Sequence, residues 1–181
     1  MKALIICGSR KDGFTSEMCR SFSEGLAVHD VPSEIFFPIE MNIRHCTGCG
    51  SCSSGGICSI SDDMVLLYKA LEGYDLLVLA SPIHFSGPSS AIKTVIDRFQ
   101  TIWFCGRKRS AFAAALLSGG GASPNYNNTI SIFKAFSITA KMEWLGHLAI
   151  SGTDEKEIQD VSGPSFEYGK DVALKLIKGR G

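Results

Sequence analysis

The 181-residue chain has no net charge, because 18 lysines and arginines balance 18 aspartates and glutamates. That balance gives no reason to expect a nucleic-acid or anionic-membrane partner. No apolar stretch is long enough to span a bilayer. The opening residues, Met1-Lys2-Ala3-Leu4-Ile5-Ile6-Cys7-Gly8, carry only a short apolar run before a glycine turn. They read as a first strand rather than an export signal, which points to a cytoplasmic setting. Two nucleotide signatures are also missing after Cys7. No Gly-Lys-Ser/Thr follows, which excludes a Walker loop, and the segment is not G-x-G-x-x-G, which argues against a dinucleotide fingerprint. No repeat, linker or low-complexity segment interrupts the chain, so one domain over 1–181 with a sizeable core is expected.

Cysteine, by contrast, is concentrated. Of seven, four fall within thirteen residues as C-x2-C-x2-C-x5-C: Cys46, Cys49, Cys52 and Cys58. An odd total disfavours a simple disulfide framework, and a reducing compartment favours metal or redox chemistry for clustered thiols. The shared middle cysteine of two consecutive x2 spacings nearly repeats ferredoxin-type spacing and favours a cubane iron–sulfur cluster. Structural zinc sites more often use two well-separated C-x2-C pairs. Zinc, and thiols without metal, stay open as alternatives, and the proline usual after the last cluster cysteine is replaced by Ser59. Arg44 and His45 flank the site and are candidates for tuning it, or simply a solvated loop edge. Cys7, Cys19 and Cys105 sit in apolar segments and read as buried structural thiols.

Strand and helix patterns alternate five times. Strands are expected at Lys2–Cys7, Ser33–Phe37, Tyr74–Ala80, Ala111–Leu117 and Trp144–Ile150. Between and after them, helical spacing runs over Thr15–Val28, from a Ser61 cap through Met64, Leu67 and Leu71, and from Pro88 through Trp103. Further helices are marked by Ile130, Phe133, Phe136 and Ala140, and by Phe166–Ile177. This order predicts an α/β doubly wound, five-stranded parallel sheet of flavodoxin-like order 2-1-3-4-5, with helices on both faces.

Ligands of such sheets bind beyond the carboxyl ends of the strands, where the strand order reverses. The unusual sequence is expected to gather there. After strand one, Gly8 to Ser16 offers hydroxyls from Ser9, Thr15 and Ser16, the Arg10 charge and a helix N-terminus, the makings of a phosphate cradle or of an ordinary well-capped turn. After strand three come Pro82, Ile83, His84 and Phe85, apolar and aromatic neighbours for a flat ring. After strand four, Ser118-Gly119-Gly120-Gly121 would let backbone approach closely or serve as a surface turn. The cysteine loop, residues 42–60, follows strand two.

Together these segments resemble the NADPH-dependent FMN reductase superfamily. The matching pieces are Gly8-Ser9-Arg10 with Thr15, Ser81-Pro82-Ile83-His84-Phe85, Lys93 with Ile96-Asp97-Arg98, and Ser118-Gly119-Gly120-Gly121. The cysteine spacing is similar to that of its iron–sulfur flavoprotein branch, which holds one FMN and one 4Fe–4S cluster. By that resemblance Ser9, Arg10, Phe14, Thr15 and Ser16 hold the FMN phosphate. Pro82, Ile83, His84 and Phe85 line the isoalloxazine, Gly119, Gly120 and Gly121 close over it, and Cys46, Cys49, Cys52 and Cys58 carry the cluster. The family usually has tyrosine where His84 stands and often asparagine where Phe14 stands.

The resemblance implies an oxidoreductase without a strong catalytic acid or base. Flavin would stand between a two-electron donor such as NAD(P)H and a one-electron centre. Small-molecule or protein electron partners and a homodimer or homotetramer are expected, with no nucleic acid or membrane partner. The rival readings are a plain FMN, quinone or nitro reductase with inert cysteines, a flavodoxin-like carrier, and a metal-stabilised binding module. Arg107-Lys108-Arg109 reads as a solvated turn away from the flavin. Trp103 and Phe104 read as packing or a subunit contact.

Overall fold

The computed structural model describes residues 1–105, without the Cys105 side chain, and residues 110–179. The Arg107-Lys108-Arg109 run lies outside the described residues. Its strands are β1 (Ala3–Cys7), β2 (Ser33–Phe36), β3 (Leu76–His84), β4 (Gly87–Pro88), β5 (Phe112–Ser118) and β6 (Glu143–Ile150). Its helices are α1 (Phe14–Ala27), α2 (Met64–Gly73), α3 (Ser90–Arg98), α4 (Thr101–Cys105), α5 (Asn127–Thr139) and α6 (Ser162–Lys178). The sheet runs β2-β1-β3-β5-β6, all parallel. This is the expected flavodoxin-like order, with β4 added as a short antiparallel partner of β3.

The apolar runs of β1, β3 and β5 follow from burial on both faces. Ala3, Ile5 and Cys7 point into one core with Val78, Ala114, Phe22 of α1 and Leu176 of α6. Leu4 and Ile6 point into the other with Leu77, Leu79, Leu67 of α2, Ile92 of α3 and Phe133 of α5. The outer strands β2 and β6 are only half-buried, as edges are. In β6 the ladder shifts register opposite Ala113 and Ala114, and Gly146 takes φ +120°, accommodating the extra residue of a bulge. Cys7 and Cys19 are fully buried, as expected of them.

Several expected boundaries are corrected. Strand β3 continues past Ala80 to His84, because Ser81 and Pro82 still pair with Leu117 and Ser118. Pro88 does not open a helix; it pairs with Ile83 in β4, and α3 begins at Ser90 with Ser89 as its cap. The helix expected through Trp103 breaks after Arg98 into α3 and α4. Ser61 does not cap α2, since Asp63 occupies the N-cap position. Asp63 and Asp62 accept the backbone N–H groups of Asn42 and Arg44, and Asp62 also accepts the Met64 N–H at the start of α2.

Candidate functional site

At the carboxyl rim the ends of β1 and β3 are sewn together. The Gly8 N–H donates to the Ala80 carbonyl at 2.8 Å. The Ser89 hydroxyl donates to the Gly8 carbonyl at 2.7 Å, and the Ser89 N–H donates to Ser81 Oγ at 2.9 Å. A side chain at Gly8 would collide with Ser89 Oγ at 2.5 Å, so glycine is required for this approach. The N-terminus of α3 is thereby anchored beneath the rim.

Three loops converge above it. In the first, Gly13 stands at the N-cap of the 14-residue helix α1, and no side chain caps it. The first-turn N–H groups and the positive end of the dipole therefore face the rim. Thr15 and Ser16 are buried, and Ser9 is nearly so. Thr15 Oγ1 shares a 2.7 Å hydrogen bond with Ser118 Oγ, and Ser16 Oγ accepts from Arg20 at 2.9 Å. Ser9 Oγ donates to the Arg10 carbonyl at 3.0 Å. The Arg10 side chain points outward and pairs with Asp12 at 2.9 Å.

The second loop is a tight hairpin. Phe85 and Ser86 both take left-handed backbone, φ +49° and +62°, between the paired residues His84 and Gly87. This is the two-residue turn whose twist suits a hairpin, made here without glycine at either central position. Phe85 is fully exposed and His84 is exposed beside it, whereas Pro82 and Ile83 are half-buried. In the third loop, Gly119, Gly120 and Gly121 are laced by backbone bonds to Ile150, Gly152, Thr153 and Asp154. A Cβ on Gly120 would strike the Asp154 carboxylate at 2.5 Å.

The four cysteines come together, but not at this rim. Cys46, Cys49, Cys52 and Cys58 all line one hollow of about 200 Å³ whose other wall is Asp97, Arg98, Gln100, Thr101 and Phe104. The loop leaves β2 at the rim and folds down against the C-terminal end of α3 and against α4. The loop is expected beside the first rim loop or reaching a neighbouring subunit; within this chain its thiols lie against the Arg98 end of α3. The nine residues of α3 separate the Ser89 end from the Arg98 end by about 13 Å. Gly48, Gly50 and Gly56 take positive φ, which lets the loop reverse direction around the hollow.

Electrostatics records the crowding of these thiols. Cys52 is pushed up by burial and then by the charges of Cys58, Cys46 and Cys49. Cys49 is drawn down to about 6, first by Ser51 and then by the Ser59 hydroxyl. Among the described residues no group of three or more His, Cys, Asp or Glu is set at metal-ligating geometry.

In the sequence Asp97-Arg98 stands out only as part of a family resemblance; the structure gives Arg98 a specific place. Its side chain is fully buried and forms a two-point pair with Asp62, at 2.6 and 3.0 Å. It also donates to the Arg44 carbonyl at 2.7 Å and the Ile60 carbonyl at 3.3 Å. Burial opposes the Asp62 charge, but the Arg98 hydrogen bonds and the Arg44 and Met64 N–H groups outweigh it and hold this carboxyl near 2. The only sequence signal for this is an arginine at the end of an amphipathic helix. Of Trp103 and Phe104, expected as packing or a subunit contact, Trp103 is largely exposed and Phe104 lines the cysteine hollow.

No helix among the described residues is long and apolar enough to cross a membrane. The fold is shared widely. It matches a flavone reductase structure with TM-score 0.74 at 17% identity, over 97% of this chain and 63% of that one. It matches an NAD(P)H:quinone oxidoreductase from Methanothermobacter marburgensis with TM-score 0.73 at 14% identity, over 97% and 98%. In sequence it is 26% identical over 147 residues to an iron–sulfur flavoprotein of Methanocaldococcus jannaschii, covering 81% of this chain and 76% of that protein. It is 37% identical over 99 residues to an iron–sulfur flavoprotein of Archaeoglobus fulgidus, covering 54% of this chain and 45% of that protein. The family model for NADPH-dependent FMN reductase matches residues 1–151, so the chain belongs to that family and is an FMN oxidoreductase.

Proposed function

We propose that this protein passes electrons between NAD(P)H or a reduced carrier, FMN held at the rim, and a 4Fe–4S cluster held by Cys46, Cys49, Cys52 and Cys58. The carrying observation is that four thiols, spaced C-x2-C-x2-C-x5-C, line a single hollow in an FMN reductase fold. Flavin supplies the exchange between two-electron hydride chemistry and one-electron chemistry.

The chain's own residues have defined tasks. The open N-terminus of α1, with Ser9, Thr15 and Ser16, receives the FMN phosphate through N–H and hydroxyl donors. Arg10 joins them by releasing Asp12, an exposed pair that holds it weakly. Phe14 contributes backbone at the helix start. Pro82, Ile83, His84 and Phe85 line the isoalloxazine ring, and Gly119, Gly120 and Gly121 bring backbone over its other side. Cys49 faces the same hollow as the other three thiols, and four thiolates are the donor set that a 4Fe–4S cluster takes.

A second reading is a cluster-free FMN, quinone or nitro reductase. It is favoured by the lack of a preformed metal-ligating group among the described residues. Anaerobic purification of the full chain followed by FMN, iron and sulfide counts separates the two. One FMN with four iron and four sulfide per chain, lost on Cys46→Ala, is the expected result. FMN without iron, even after reconstitution, sinks the cluster reading and leaves the plain reductase. Failure to take up FMN in excess sinks both.

A further inference from the structure

We propose that Arg98 is the positioning residue of the cysteine centre: its buried guanidinium clamps both stems of the cysteine loop and offers its remaining N–H, at Nε, to a sulfur of the four-thiolate site. The inference rests on the cluster reading above and adds a residue outside the ligand set.

The donors of a guanidinium are five, and here each can be traced. Nη1 donates to the Arg44 carbonyl and to Asp62 Oδ2. Nη2 donates to the Ile60 carbonyl and to Asp62 Oδ1. Arg44 lies two residues before Cys46 and Ile60 two after Cys58, so one side chain ties the entry of the loop to its exit. Asp62 reinforces the tie by accepting the Arg44 N–H at 3.0 Å and the Met64 N–H at 3.1 Å. The fifth donor, Nε, is buried and has no partner.

A buried, unpaired donor on a charged group is costly, and its presence calls for an acceptor. Arg98 lines the same hollow as all four cysteines, among hydroxyls of Thr47, Ser51, Ser59 and Thr101, so the four sulfurs stand among the acceptors that the hollow offers. A fixed positive charge there favours the more negative, reduced form of a cluster and raises its potential. The charge is carried in on a rigid element, since α3 is fastened at its other end to Gly8 and Ser81 through Ser89.

The test uses anaerobically reconstituted holoprotein carrying Arg98→Gln or Asp62→Asn, with retained FMN as the check on folding. Redox titration followed by electron paramagnetic resonance reads the cluster potential. Arg98→Gln is expected to disfavour reduction by about tenfold, a downward shift of about 59 mV for one electron. Asp62 keeps its two backbone N–H donors in that variant and stays ionised. Asp62→Asn removes a negative charge and is expected to shift the potential upward. A purely structural pair predicts no such opposition of sign, so unchanged potentials, or shifts of one sign, overturn the electrostatic role.

Amide exchange across residues 44–62 is then measured in FMN-loaded, iron-free protein. Both variants are expected to exchange at least tenfold faster than wild type, and equal rates overturn the clamp. Arg98→Lys replaces Arg98→Gln if the latter loses FMN; it keeps the charge but not the fork, and the same loss of loop protection is expected. If wild type takes up no iron, the cluster reading and the sulfur contact fall together, while the exchange experiment still decides the clamp.

Discussion

Thr15 Oγ1 and Ser118 Oγ share a buried 2.7 Å hydrogen bond that joins the first turn of α1 to the end of β5. The two residues are 103 apart in sequence. This contact fastens the first rim loop to the start of the glycine loop, so the two are held together.

Removing either hydroxyl strands the other in a buried setting. Thr15→Val and Ser118→Ala are each expected to destabilise the fold by roughly 1–3 kcal/mol. The double variant should cost less than the sum of the two, because both partners are then gone. Urea unfolding of the four proteins measures this, and strict additivity would refute the coupling.

Helices α1 and α6 touch through glycine. A Cβ on Gly25 would overlap the Phe166 carbonyl, and one on Gly169 would overlap the Phe22 carbonyl. Gly25→Ala and Gly169→Ala should therefore each destabilise by about 1–3 kcal/mol or more through overpacking. Gly163, near the start of α6, has open space around its position, so Gly163→Ala serves as the neutral control. Equal melting temperatures for Gly25→Ala and Gly163→Ala would show that the helices are not packed this closely.

Asp62 makes the cysteine-loop anchor acid-sensitive. Its folded pKa, about 2, lies below the ordinary carboxylate value. The stabilisation is thus complete above the unfolded value near 3.9 and is lost as pH falls through about 2. The linked contribution is on the order of 2 kcal/mol. Between pH 5 and pH 2 the stability gap between wild type and Asp62→Asn should close, as followed by unfolding midpoints. A constant gap would mean that the carboxylate does not titrate with the fold.

Phe85 opposes stability to function. Its backbone is left-handed and its ring is fully exposed, so the isolated fold gains nothing visible from a side chain there. Phe85→Gly should stabilise the FMN-free protein by up to about 1 kcal/mol, because glycine tolerates positive φ. If the ring lines the flavin as proposed, the same change should weaken FMN binding about tenfold, or about 1.4 kcal/mol. Fluorescence titration with FMN beside thermal unfolding reads both effects; a variant that gains stability without losing affinity would remove Phe85 from the site.

Much of this architecture is legible in the amino-acid sequence. The unbroken run Leu76 to Ala80 marks a strand buried on both faces, and such strands alternating with helical spacing specify a parallel sheet of this order. The spacing of Cys46, Cys49, Cys52 and Cys58 points to one shared centre, because loop backbone this short keeps thiols close. Other features are decided by partners distant in sequence. Strand β3 runs on to His84 because Ser118 waits beside Pro82, and Asp62 holds Arg98 and the Arg44 N–H as well as the Met64 N–H at the start of α2. The cysteine loop settles at the Arg98 end of α3, not at the rim, because that buried guanidinium binds both its stems. Periodicity and spacing are local properties that a chain carries with it, whereas the satisfaction of buried hydrogen-bonding groups depends on which distant residues the packed sheet brings within reach.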